Sequence, residues 1–123
     1  MDGLEKIRAA IRKFRDDRDW MQFHNPKNLA CSIVIEAAEL LEHFQWKTPR
    51  QSEVVARAQK AMVAEEVADI AIYLIELADN LDIDLIGAVE AKLMKNQTKY
   101  PVQEVRGSSK KYTEYMRKDG TTR

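Results

Sequence analysis

Apolar side chains return along this chain mostly at intervals of three and four, the period of an α-helix, and the strict alternation of a β-strand is almost absent. Leu4, Ile7, Ile11 and Phe14 predict a first amphipathic helix over residues 4–18, closing at Asp16, Asp17 and Asp19. Asn25 precedes Pro26, and the proline ring pushes the preceding residue out of helical geometry, so residues 20–27 read as a connection. A second helix is expected from Asn28 to about Gln45, with a further connection at Trp46, Thr48 and Pro49. A third helix can run over residues 52–80 and contains the most apolar stretch of the chain. Asp82 or Asp84 would cap a fourth, since either carboxylate can accept backbone N–H bonds at a helix start, and Pro101 stops it after about Tyr100. The fold class is therefore all-α, with four helices.

The polar positions inside the second and third helices carry the chemistry. At about 100° per residue, nearly the whole circumference of the second helix is apolar, which predicts that it is largely buried. Yet Ser32, Glu36, Glu39 and His43 share a sector of roughly 60°. On the third helix Met62, Glu66, Asp69 and Tyr73 form a matching stripe among Val63, Val67, Ile70, Leu74 and Leu77. Four carboxylates brought together need a counter-charge, and a hard divalent cation with oxygen ligands supplies one, magnesium being the natural candidate and manganese a substitute. Di-iron bundles pair a Glu with a His at E-x-x-H spacing, which neither stripe has. The plainer alternative is that these acids lie exposed on ordinary amphipathic helices.

Other groups suit a nucleotide. Lys92, Lys95, Asn96, Lys99 and Tyr100 gather near the end of the fourth helix, where cations and an amide can hold phosphate oxygens, although a cation there, Lys95 above all, also complements the helix dipole. Trp20, Phe23, His24, Trp46 and Tyr73 offer faces for a base, and His24 a hydrogen bond to its edge; the bland alternative is core packing.

Composition narrows the class. The 123 residues form one domain with no room for a separate catalytic module, so a site must be built into the fold itself. Lys plus Arg equals Asp plus Glu at 20 each, which gives no field to hold a nucleic-acid polymer. Apolar runs are broken by acids well short of the ~20 residues a membrane span needs. A single cysteine, Cys31, and the lack of an apolar leader predict a cytoplasmic protein. Residues 106–123 hold six basic and two acidic residues with no apolar period and read as a solvated, mobile tail after a domain of residues 1–105.

The order of these residues resembles the MazG-like all-α nucleoside triphosphate pyrophosphatases, nearest the dCTP pyrophosphatase branch. The resemblance rests on Arg18-Asp19-Trp20 with Gln22-Phe23-His24 and Pro26, on Glu36-x-x-Glu39 with Phe44-Gln45-Trp46, and on Glu65-Glu66-x-x-Asp69 with Ile72-Tyr73-Leu74. It continues through Asp84, Lys92, Asn96 and Tyr100-Pro101 to the run from Ser108 to Glu114. It implies a four-helix bundle that assembles as a homodimer or homotetramer and converts a dNTP and water to the monophosphate and diphosphate, a nucleotide-pool house-cleaning activity. It implies Glu36, Glu39, Glu66 and Asp69 as magnesium ligands, Glu36 and Glu39 as the catalytic carboxylates, and a base pocket from Trp20, Phe23, His24, Trp46 and Tyr73. Lys92, Asn96, Lys99 and Tyr100 fall near the phosphates, and Lys110, Lys111 and Tyr112 fold over the site. Two departures bear on base choice: Ile11 stands where animal members carry a histidine, and the loop between the second and third helices is short. The substrate class is accordingly a dNTP, with dCTP or a modified dCTP first. A helical interaction module and a related pyrophosphatase with a non-dNTP substrate are the alternatives.

Overall fold

The computed structural model describes residues 2–108, and the described residues contain α-helices, one short 3-10 turn and no strand. The all-α class read from the periodicity holds. Helix α1 spans Gly3–Asp17, its start capped by the Asp2 carboxylate, which accepts the Glu5 N–H at 2.8 Å. After it the chain reverses at Asp19, a non-glycine residue in left-handed geometry with φ of 54°, and passes through a 3-10 turn, Met21–Phe23.

Helix α2, Pro26–Glu42, begins two residues earlier than the pattern predicts. Proline lacks only an N–H that the first turn cannot use, and Asn25 caps the helix by accepting the Asn28 N–H at 2.9 Å. Pro49 opens α3, Pro49–Ala58, in the same way. There a capping box joins Thr48 and Gln51, side chain to backbone in both directions. The single third helix expected over residues 52–80 is in fact two. It breaks at Gln59 (φ −117°, ψ 34°), and α4, Lys60–Asn80, follows at once. No glycine, proline or capping side chain marks this break, so the apolar period running through it reads as one rod. Asp84 caps α5, Leu85–Lys99, accepting the Gly87 N–H at 3.2 Å. Beyond Pro101 one further turn of helix, α6, spans Val102–Val105. Most of the basic tail, with Lys110, Lys111 and Tyr112, lies outside the described residues.

The chain divides into two compact units, the first running through Ile83 and the second beginning at Asp84. In the first, α4 is the central element: α2 packs along it, and α1 and α3 also lie against it. Leu29, Ile11 and Ala78 are its buried apolar side chains. The expectation that α2 is largely buried is corrected. Only Leu29 of α2 is buried, while Val34 is 67% exposed and Ile35 and Leu41 are also open. One main neighbour covers one stripe of a helix, and much of the rest of this apolar circumference is left open among the described residues. On α4, Met62, Val67, Ile72 and Leu74 are exposed as well. Among the described residues no helix is long and apolar enough to cross a membrane.

Candidate active site

Packing α2 along α4 brings the two acidic stripes face to face. Glu36, Glu39 and Glu66 each place a carboxylate oxygen so that the three atoms lie within 4.8 Å of one another. All three side chains are half-buried. Two of their oxygens, Oε2 of Glu36 and Oε2 of Glu66, are buried and accept no hydrogen bond. A carboxylate oxygen that has lost water and gained no donor is costly. The cost shows in the titration of the cluster: burial, then the hydrogen bond to and the charge of Glu39, push the Glu36 carboxyl up to about 7. Burial and Glu39 likewise raise that of Glu66. Orphaned hard oxygens gathered on two helices fit a divalent cation of the oxygen-seeking kind. Asp69 lies one helical turn beyond Glu66, outside the closest triplet, and its negative charge acts on both Glu36 and Glu66.

Asp69 also borders a cavity of about 460 Å³, the size of a small-molecule site. Ile7, Ala10, Ile11 and Phe14 of α1 form one wall. Ile72, Tyr73 and Glu76 continue the α4 side, and Trp20 and His24 close it from the loop after α1. Trp20 is held edge-on to Phe14 with ring centroids 5.6 Å apart, and the Arg18 guanidinium covers the Phe14 ring at 3.8 Å. Burial, then the charges of Glu36 and Asp69, raise the Tyr73 phenol above its usual range, which keeps it a neutral O–H donor.

The structure thus brings together Glu36, Glu39 and Glu66, and sets Asp69, Trp20, His24 and Tyr73 around the adjoining cavity. Phe23 and Trp46 do not line it; Trp46 is 85% exposed. Lys92, Asn96, Lys99 and Tyr100 belong to the second unit. There Lys92 and Asn96 flank a groove on α5 with Ala88, Val89 and Leu93, and the Tyr100 N–H closes the helix end on the Asn96 carbonyl at 2.9 Å.

Sequence reasoning missed a polar network behind the cavity. Glu76, only 3% exposed, meets His24 Nδ1 at 2.7 Å through Oε2 and 2.9 Å through Oε1. Asn80 Nδ2 donates to Glu76 Oε2 at 3.3 Å and to the His24 carbonyl at 3.4 Å, and Arg15 Nη1 donates to Asn80 Oδ1 at 3.0 Å. Next to it Arg12 Nε donates to Asp79 at 2.6 Å, with Arg8 a further cation 3.8 Å away. The signal was present: Glu76 and Asn80 continue the spacing of Glu66, Asp69 and Tyr73 by three and four, widening that sector to only about 80°.

The model of the MazG-like family matches residues 31–115, most of the chain. The chain belongs to the MazG-like family. Among curated relatives, rat dCTP pyrophosphatase 1 is 42% identical over 116 residues, covering 93% of this chain and 68% of the rat protein. Human dCTP pyrophosphatase 1 is 42% identical over 113 residues, 90% of this chain and 66% of the human protein. The crystal structure of a pyrophosphatase from Archaeoglobus fulgidus superposes with a TM-score of 0.79 at 46% identity, covering 82% of this chain and 94% of that one. The all-α architecture is thus that of a MazG-like pyrophosphatase.

Proposed function

We propose that the acidic cluster and the adjoining cavity are the two halves of one active site, which hydrolyses a deoxynucleoside triphosphate to its monophosphate and diphosphate. The chain is a nucleoside triphosphate pyrophosphatase. The observation that carries the site assignment is the pair of buried, unpartnered oxygens on Glu36 and Glu66, standing where a cation would satisfy both. Similarity to dCTP pyrophosphatases favours dCTP, or a modified dCTP, as substrate.

Glu36, Glu39, Glu66 and Asp69 would hold magnesium, with manganese as a substitute. Bound there, the ion supplies positive charge to the phosphate oxygens and acidifies a water molecule. Glu36 or Glu39 takes the proton from the attacking water as general base. That water forms a bond to the α-phosphorus, the bond from the α-phosphorus to the α,β-bridging oxygen breaks, and diphosphate leaves with that oxygen and the electron pair. Trp20, Tyr73 and the apolar wall from α1 pack against base and sugar, with Phe23 and Trp46 available from outside the cavity. Lys92, Asn96, Lys99 and Tyr100 are assigned to the phosphates. The exposed apolar faces of α2 and α4 support assembly as a homodimer or homotetramer, and the free thiol of exposed Cys31 suits a reducing, cytoplasmic setting.

Purified protein is incubated with magnesium and each canonical dNTP, its ribo-counterpart, or 5-methyl-dCTP, with diphosphate and orthophosphate measured separately. Metal-dependent release of diphosphate with a preference for cytosine nucleotides is expected. Orthophosphate release, or no turnover of any triphosphate by folded protein, would refute the proposal.

A further inference from the structure

Glu76 is buried, its side-chain hydrogen bonds among the described residues run to His24 and Asn80, and it is not one of the three carboxylates of the acidic triplet. A carboxylate this deep is retained at a cost unless it does something for its neighbours. Its principal neighbour is His24. An ionised carboxylate can only accept hydrogen bonds, so with Nδ1 at 2.7 and 2.9 Å from the two oxygens the imidazole proton sits on Nδ1. The other ring nitrogen, Nε2, has no hydrogen-bond partner among the described residues, and His24 lines the cavity.

Asn80 donates to Glu76 Oε2 and accepts from Arg15, whose guanidinium is itself buried and paired with Asp16 at 2.8 Å, so the amide's orientation is fixed from both sides. In the neutral ring, the proton that Nδ1 presents to Glu76 leaves Nε2 bare. In that state Nε2 carries a lone pair, and the edge of the cavity it meets presents an acceptor.

We propose that Glu76 is a positioning residue for base recognition: it holds His24 in the Nδ1–H tautomer, so that Nε2 accepts a hydrogen bond from the exocyclic amino group of the substrate base. The proposal rests on the reading that this cavity takes the base. Cytosine offers such a group at its 4-position, whereas uracil offers a carbonyl in the same place and would set an acceptor against an acceptor. A site built around a buried hydrogen bond discriminates strongly against the analogue that cannot make it. Neither Glu76 nor Asn80 touches the reacting phosphates in this scheme; both act through His24.

The test begins with the wild-type chain, whose His24 ring nitrogens are followed by long-range proton–nitrogen correlation spectra at pH 7.5, alone and titrated with dCMP without metal. The expected result is an Nδ1–H, neutral ring whose Nε2 resonance shifts on binding. A ring protonated on Nε2, or on both nitrogens, overturns the tautomer proposal whether or not dCMP binds. A His24 spectrum unmoved by saturating dCMP instead rejects the cavity reading beneath it.

Kinetics with dCTP and dUTP supply a second, independent readout. Glu76→Met keeps length but removes the acceptor, and should reduce the dCTP-to-dUTP ratio of kcat/KM at least tenfold, chiefly through the KM for dCTP. Glu76→Gln keeps an acceptor oxygen and should retain most of the discrimination. If both variants lose thermal stability and activity on the two substrates in parallel, with the ratio unchanged, Glu76 is structural only and the proposal fails.

Discussion

Glu36 of α2 and Glu66 of α4 each bury an oxygen that accepts no hydrogen bond, and their carboxylates stand close enough to share one ion with Glu39. Such an arrangement opposes folding until a cation arrives. Glu66→Gln removes one charge while keeping the shape. In chelator at pH 8 its Tm should equal or exceed that of the wild type, and turnover should fall at least ~100-fold, about 2.7 kcal/mol of barrier. A metal-free variant clearly less stable than wild type would show that the cluster is held together by hydrogen bonds instead.

The pH dependence of stability has a definite sign. The Glu36 carboxyl moves from its ordinary 4.5 up to about 7, and Glu66 moves in the same direction. Between these values the folded, metal-free protein holds more protons than the unfolded chain, so this contribution is present at low pH and lost as pH rises through about 7. Asp79, held below the ordinary carboxylate range by Arg12, acts oppositely but only in acid. Thermal melts in chelator should therefore show Tm falling from pH 5.5 to 8. A divalent cation would bind the cluster in its deprotonated form, so any rise in Tm that magnesium produces should grow over the same range. A metal-induced shift that is independent of pH would contradict the titration of Glu36.

Glu39→Gln addresses catalysis apart from shape. Turnover should drop by about two to four orders of magnitude with the far-ultraviolet circular dichroism unchanged. Near-normal turnover would remove Glu39 from the site.

Filling the cavity tests its role without touching a carboxylate. Ala10 lies on the α1 wall, and Ala10→Phe places a ring where base or sugar would sit. KM for dCTP should rise at least tenfold, about 1.4 kcal/mol, with Tm little changed. An unaltered KM would place the nucleoside elsewhere.

Much of this was legible in the chain because helical period and narrow polar stripes are local properties. The all-α class follows from the spacing of residues such as Leu4, Ile7 and Ile11, and the meeting of Glu36 and Glu39 with Glu66 from two acids on apolar helices. Less local features were not. The break at Gln59 has no punctuating residue, and the exposure of Val34 and Ile35 depends on which neighbours the chain itself supplies. Glu76 continues the polar stripe past Tyr73, but its partner His24 lies in a loop whose course no periodicity predicts, so their pairing is not a local property of the chain. Trp46, placed among the base contacts by residue type and by the family resemblance, is 85% exposed and does not line the cavity.

The uncovered face of α2 makes a prediction about assembly. Val34→Asp sets a charge in the middle of it, and light scattering should show a smaller particle than the wild type with helix content retained. An unchanged mass would assign that face to some other role.

The most direct test of the active site is to run the reaction with magnesium and dCTP in ¹⁸O-labelled water and to weigh both products. Attack at the α-phosphorus, by water activated at the Glu36, Glu39, Glu66 and Asp69 cluster, predicts the label in dCMP and none in diphosphate. Label in diphosphate or in orthophosphate, or a reaction undiminished by Glu66→Gln, would contradict the account.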